Sequence, residues 1–255
     1  MGIAGRYSFL FSELVKRDFK KKYKSTYLGM LWSLLSPLLS LLVMSVVFGS
    51  FFGRDMEHYT IYLFCGNVLF SYFSDATVGG MGALVANAPI FTHVRVPKLL
   101  FVLSRSVSSL INAALTFAVL FIFILIDGVR LTWALLLSPL PLLLITVFNV
   151  GVGLALSVLF VFFRDMKYLW GVATMLISYL SAIFYTVSAE SFGSLAGAFY
   201  LNPVYVYITY LRTLVLGGTV PPLWMNALAV AYALIALGTG LIMYRKCNYK
   251  FIYYV

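Results

Sequence analysis

Between positions 16 and 24 the chain carries Lys16, Arg17, Lys20, Lys21, Lys22 and Lys24. A cation cluster of this density suits one kind of chemistry: it meets anions, either the headgroups of an acidic membrane surface or the phosphates of a charged ligand. Two more ionisable residues, Asp75 and Arg105, sit inside otherwise apolar stretches. Each costs on the order of 2.5 to 3.5 kcal/mol at a helix centre on insertion scales, so each is expected to face protein or water. If their helices pack antiparallel, a rise of 1.5 Å per residue places them within about 7 Å of the same depth, a gap an Arg side chain bridges. They serve either as a structural ion pair or as contacts along a path. The sequence has no Gly-x-x-x-x-Gly-Lys-Ser/Thr phosphate loop, no Asp-x-Asp motif, and no paired carboxylates or Ser/His/Asp set at catalytic spacing. An enzyme is therefore a poor reading. His58 and His93 are isolated, and Cys65 and Cys247 fall in segments expected to lie far apart, so neither a metal site nor a disulfide is expected.

The elements that must position these residues follow from composition. The chain is 62% hydrophobic and 10% charged, with a mean hydropathy of +0.99. That describes an all-α polytopic membrane protein. Its net charge of +10 does not point to nucleic acid, because the basic residues crowd into short segments between apolar stretches. The charges punctuate the chain into six expected transmembrane helices at 29–52, 59–86, 99–126, 131–163, 168–187 and 223–244. A loop at 87–98, the turn at 164–167 and a tail at 245–255 fall on the same side as the N-terminus. That side holds fourteen Lys/Arg against three (Arg54, Arg130 and Arg212) on the other, which places both termini in the cytoplasm.

Two segments do not cross. Residues 1–28 carry Tyr7, Phe11, Val15, Phe19 and Tyr23 every four residues, with cations between them, and read as an amphipathic helix along the membrane surface. Residues 191–216 are apolar but broken by Gly193, Gly197 and Asn202-Pro203. Asn at an N-cap with Pro at the first helical position starts a new short helix, so this stretch reads as re-entrant half-helices.

The run Arg17-Asp18-Phe19-Lys20-Lys21-Lys22-Tyr23-Lys24-Ser25-Thr26-Tyr27-Leu28-Gly29 through Pro37 resembles the signature of type-2 ABC exporter permeases that move polysaccharides. Phe162-Phe163-Arg164-Asp165-Met166-Lys167-Tyr168 with Ser181-Ala182-Ile183-Phe184-Tyr185 resembles the family's second motif, and Asn202-Pro203 with Leu211-Arg212 its third. The resemblance implies a homodimer of this subunit joined to two ATPase subunits in the cytoplasmic membrane. ATP and Mg would be held by the ATPase, and no cofactor by this chain. Arg17, Lys20, Lys21, Lys22, Tyr23 and Lys24 would belong to a gate helix at the entrance. Asn87, Pro89, His93, Arg95, Pro97 and Lys98, with Arg164, Asp165 and Lys167, would couple to the ATPase. Phe184, Tyr185, Asn202, Pro203 and Arg212 would form the outer gate. The implied cargo is a lipid-linked glycan such as O-antigen, capsule or a teichoic-acid-like polymer. The alternatives are an ABC-2 permease for a small lipid or drug, and a membrane-embedded glycan-modifying enzyme. One departure touches the outer gate: where many relatives carry a proline before the aromatic pair, this chain has Ser181-Ala182-Ile183, which leaves the gate's geometry open.

Overall fold

The computed structural model describes residues 3–23, 27–52, 57–94, 96–187, 192–249 and 251. Among these residues the fold is built from nine α-helices: α1 (Ile3–Tyr23), α2 (Trp32–Phe52), α3 (Tyr59–Ala86), α4 (Ala88–His93), α5 (Leu99–Ile126), α6 (Pro139–Phe162), α7 (Met166–Leu180), α8 (Pro203–Val215) and α9 (Leu223–Cys247). Short 3-10 turns occupy Gly29–Leu31, Trp133–Leu137 and Gly193–Leu201.

Among the described residues four helical stretches are long and apolar enough to cross a membrane: Tyr59–His93, Leu99–Ile126, Trp133–Phe162 and Leu223–Cys247. The span expected over 29–52 begins as a 3-10 turn with Gly29 at φ 50° and continues as the 21-residue α2. The span expected over 168–187 is helical only to Leu180. At 1.5 Å per residue its 15 residues reach about 22 Å, short of a hydrocarbon core of about 30 Å. Ala182 stops it by taking a left-handed φ of 48°.

The long helices run antiparallel and define two ends. His58 Nδ1 lies 2.6 Å from Asp127 Oδ2, joining the start of α3 to the end of α5 at what we call the far end. Lys98 donates to the Asn248 carbonyl at 2.8 Å, joining the start of α5 to the end of α9 at the basic end. Helix α3 is the hub, packed against α2, α5, α6, α7 and α8. The α6–α9 pair is closest of all, because Gly151 meets the backbone of Ala236 and Leu237, and Gly240 meets that of Gly151. A methyl group at either position would overlap the opposite helix, the small-residue packing that membrane helices use in place of a hydrophobic drive.

Helix α8 is a core element. Ten of its 13 residues are buried, which rules out a surface role. Its start is capped as the Asn-Pro pair requires: Asn202 Oδ1 accepts from the Val204 amide at 3.0 Å, with Pro203 at the first helical position. Tyr207 and Tyr210 then tie it to α9 through the Ala229 carbonyl and the Asn226 amide oxygen.

Helix α1 packs along α5. Leu14 joins a second apolar cluster with Phe91, Phe101, Val158 and Phe251 at the basic end. Asp18, one turn later, is buried and accepts from Ser104 Oγ at 3.2 Å. The line that docks is thus Leu14–Asp18, offset by one position from the aromatic stripe the sequence pattern emphasises.

Candidate transport cavity and its two ends

A cavity of about 990 Å³ is bounded by α1, α2, α3, α5, α7 and the segment after α7. Helix α3 supplies one wall through Asn67, Ser71, Ser74, Asp75, Gly79 and Gly82. Ser74 and Asp75 are adjacent and the other steps are three or four residues, which puts them along one side of the helix. The cavity gathers residues that the sequence places in three separate groups: Arg17, Lys21 and Lys22 from α1, Asp75 and Arg105 from the spans, and Phe184 beyond α7.

The charge pairing differs from the sequence expectation. Asp75 pairs with Lys22 at 3.0 Å and not with Arg105. Both partners remain about a third exposed, so the pair contributes less than about 1 kcal/mol. Arg17 pairs with Asp18 at 2.8 Å. Arg105 lies across Gly79, where a β-carbon would come within 2.6 Å of its Nε. Arg105 thus fills the space that any side chain at position 79 would need. Among the described residues Lys21 and Arg105 have no carboxylate partner, so four lining cations face two carboxylates and the cavity keeps a positive surplus. A positive surplus of this kind favours anions over cations within the space it lines. Of the other α1 cations, Lys20 is exposed away from the cavity. Tyr23 is described by its backbone alone, and Lys24 and Arg95 lie outside the described residues.

At the far end, side chains hold the non-helical segment after α7. Arg212 is buried and donates to the carbonyls of Tyr62, Ala182 and Ile183 at 2.9–3.3 Å. Its guanidinium lies 3.4 Å from the Tyr62 ring centroid. Tyr59 and Tyr62 add hydroxyl bonds to the Phe184 and Tyr185 carbonyls at 2.7 and 2.6 Å. Asn202 has a second task beyond capping: its amide donates to Ser181 Oγ at 2.9 Å. The segment is shaped by the left-handed Ala182 and this set of donors. Phe184 stacks on Phe48 of α2 at 4.5 Å and closes that end of the cavity. Tyr185 turns away, donating to the Tyr179 carbonyl and packing on Phe192.

At the basic end the residues expected to couple to an ATPase divide by burial. Pro89, His93, Pro97, Arg164, Asp165 and Lys167 are exposed. Asn87 is buried, its amide donating to the Ala83 carbonyl at 2.7 Å. Lys98 is buried too, with its Nζ 5.4 and 5.3 Å from the Phe91 and Phe251 ring centroids. Burial lowers its pKa from the ordinary 10.5. Lys98 therefore pins α4 to the C-terminal tail, whereas Pro89 and His93 present α4 outward.

A family model described as ABC-2 type transporter matches residues 10–216, a range that runs from α1 to the end of α8. This chain belongs to the ABC-2 type transporter family. Two proteins of Klebsiella pneumoniae, each named O-antigen export system permease protein RfbA, are 26% and 27% identical to it over 202 residues, covering 77% of this chain and 75% of each relative. A protein of the same name from Myxococcus xanthus is 28% identical over 163 residues, covering 61% of this chain and 60% of the relative. The chain is thus a multi-pass membrane permease subunit.

Within this ABC-2 subunit, sequence reasoning overlooked the α3 wall residues Asn67, Ser71 and Ser74 and the far-end donors Tyr59 and Tyr62. The first three carried a readable signal: with Asp75 they are polar residues at helical spacing in an apolar span. The two tyrosines carried none, since tyrosine at a span end reads as an ordinary interfacial residue.

Proposed function

We propose that this ABC-2 subunit is the membrane part of an ATP-driven exporter of lipid-linked polysaccharide, O-antigen-like, capsular or teichoic-acid-like. The observation that carries the reading is the cavity that joins the cations of α1 to Phe184 at the far end. A diphosphate-linked glycan lipid has an anionic joint and a polar chain, which match the positive surplus near Lys21 and Arg105 and the hydroxyl and amide wall of α3. The names of the Klebsiella and Myxococcus relatives support the cargo class.

In this reading α2 and α7 complete six crossings, the Gly193–Leu201 turn and α8 form re-entrant elements, and both termini face the cytoplasm. A second copy of the chain closes the cavity's open side. The broad apolar face of α7, with Leu169, Val172, Leu176 and Leu180 exposed, is available for that contact or for lipid. Two ATPase subunits dock on Pro89, His93, Arg164, Asp165 and Lys167, and they hold the ATP and Mg. The positioning role of Lys22–Asp75 is to tether the gate helix over the cavity.

The direct test is co-reconstitution with the cognate ATPase in vesicles. Lipid-linked glycan should stimulate ATP hydrolysis and become accessible to a glycosidase on the far side. Failure of both would sink the proposal. Asp75→Asn should leave the protein level unchanged and lower export, and unaltered export would remove the tether from the mechanism.

A further inference from the structure

A second cavity, of about 450 Å³, lies between α2, α3 and α5 and meets the first at Lys22, Asn67, Ser71 and Asp75. Its other polar walls are Ser33, Ser36 and Ser40 on α2 and Ser109, Asn112 and Thr116 on α5. Both triplets step by three and then four residues, so each presents one helix face to the same space. On α5 three hydroxyls bond back to their own backbone: Ser104, Ser106 and Thr116 each donate to a carbonyl three or four residues earlier. Among the described residues Ser36, Ser40 and Ser109 have no such bond. At membrane depth an unpaired hydroxyl is costly, so these groups are placed to meet something other than hydrocarbon.

The lining selects the chemistry of that occupant. Serine and threonine hydroxyls and asparagine amides each donate and accept, as sugar hydroxyls do. Among the described residues the charges lining this cavity are Lys22 and Asp75, which neutralise each other, in contrast to the surplus in the larger cavity. Trp32 borders the space and remains partly exposed, offering an indole face to the apolar side of a sugar ring. The volume falls within the range of about 300 to 1,000 Å³ typical of small-molecule sites. We infer that this cavity is a binding site for a neutral saccharide unit, about one or two rings in size. The inference rests on the export reading, with the cargo's glycan as the source of the sugar. It separates the two halves of that cargo, the anionic joint going to the larger cavity and the neutral sugar to the smaller. The Lys22–Asp75 pair stands where the two cavities meet.

The test uses the complete transporter in nanodiscs and reads the difference in tryptophan fluorescence between the wild type and Trp32→Phe. Cellobiose, lactose and mannobiose are the neutral probes, and inorganic diphosphate is the charged one. At least one disaccharide should change the Trp32 signal saturably. Ser36→Ala and Ser109→Ala should each weaken that response about fivefold, the loss of one net hydrogen bond. Ser36 lies on an exposed face of α2, so its variant keeps the test sound if the buried Ser109 variant misfolds. No response to any disaccharide, a response unchanged by Ser36→Ala, or a response to diphosphate alone overturns the inference. Stimulation of the ATPase by lipid-linked glycan, measured on the same sample, separates the two failures. If stimulation persists without disaccharide binding, export stands and only the sugar site falls.

Discussion

Replacing Arg212 with methionine keeps most of the side chain's length and removes the guanidinium that organises the segment after α7. Its four N–H contacts reach three carbonyls. The Tyr62 carbonyl retains its helical partner inside α3, and the Ala182 carbonyl retains the Tyr62 hydroxyl at 3.3 Å. The Ile183 carbonyl loses both N–H partner and charge. One orphaned carbonyl and one weakened carbonyl, at about 1–3 kcal/mol each, sum to about 2–6 kcal/mol. Methionine also escapes the cost of burying a cation, which returns part of that loss. The net expectation is a destabilisation of about 1–3 kcal/mol. Arg212→Lys discriminates further, because it keeps the buried charge and loses the planar fork that reaches three acceptors. It should be less stable than Arg212→Met. Both are measured by equilibrium unfolding in mixed micelles, with hydrogen exchange of the 181–187 amides as the local readout. A lysine variant as stable as wild type, or a methionine variant more stable than wild type, would refute the reasoning.

Gly151→Val should drive its side chain into the Ala236–Leu237 backbone and sharply reduce the yield of monodisperse protein after extraction, and normal yield would show that α6 and α9 can separate cheaply. Ala182→Gly should raise stability by about 1 kcal/mol by relieving the left-handed φ of 48°, read in the same unfolding assay, and a loss would mean that the strain is not where the backbone places it. Lys98 has a pKa lowered by burial, so between that value and 10.5 the unfolded chain binds more protons than the fold. Stability should therefore rise with pH across that window in the wild type, full benefit being reached above 10.5 and lost as pH falls through the folded value. Lys98→Met should remove this slope, and identical pH profiles for the two proteins would count against the buried-lysine account.

Much of the fold was legible because charges are scarce. The spans at 59–86, 99–126 and 223–244 begin and end close to α3, α5 and α9, since a long uncharged run bounded by polar residues has few ways to fold in a bilayer. Asn202-Pro203 gave the start of α8 to the residue, because capping is local chemistry. The end of α7 was invisible for the opposite reason. Residues 181–187 are as free of charge as the helix before them, and the bonds that bend them away come from Tyr59, Tyr62 and Arg212, far off in sequence.

The cavity divides in the same way. Composition and charge placement alone determined that this is a helical membrane protein with a basic first helix and rare intramembrane charges, because hydrophobicity and the cost of burying charge act on each segment separately. Which charge meets which was decided only in three dimensions. Asp75 and Arg105 share a depth, but depth does not set the direction a side chain faces around its helix. The packing of α1 along α5 brought Lys22 to Asp75 from 53 positions away, and Gly79 gave Arg105 a place to lie instead. Lys98 reads as a loop cation in sequence and is buried in the fold, because the C-terminal tail folds back over it.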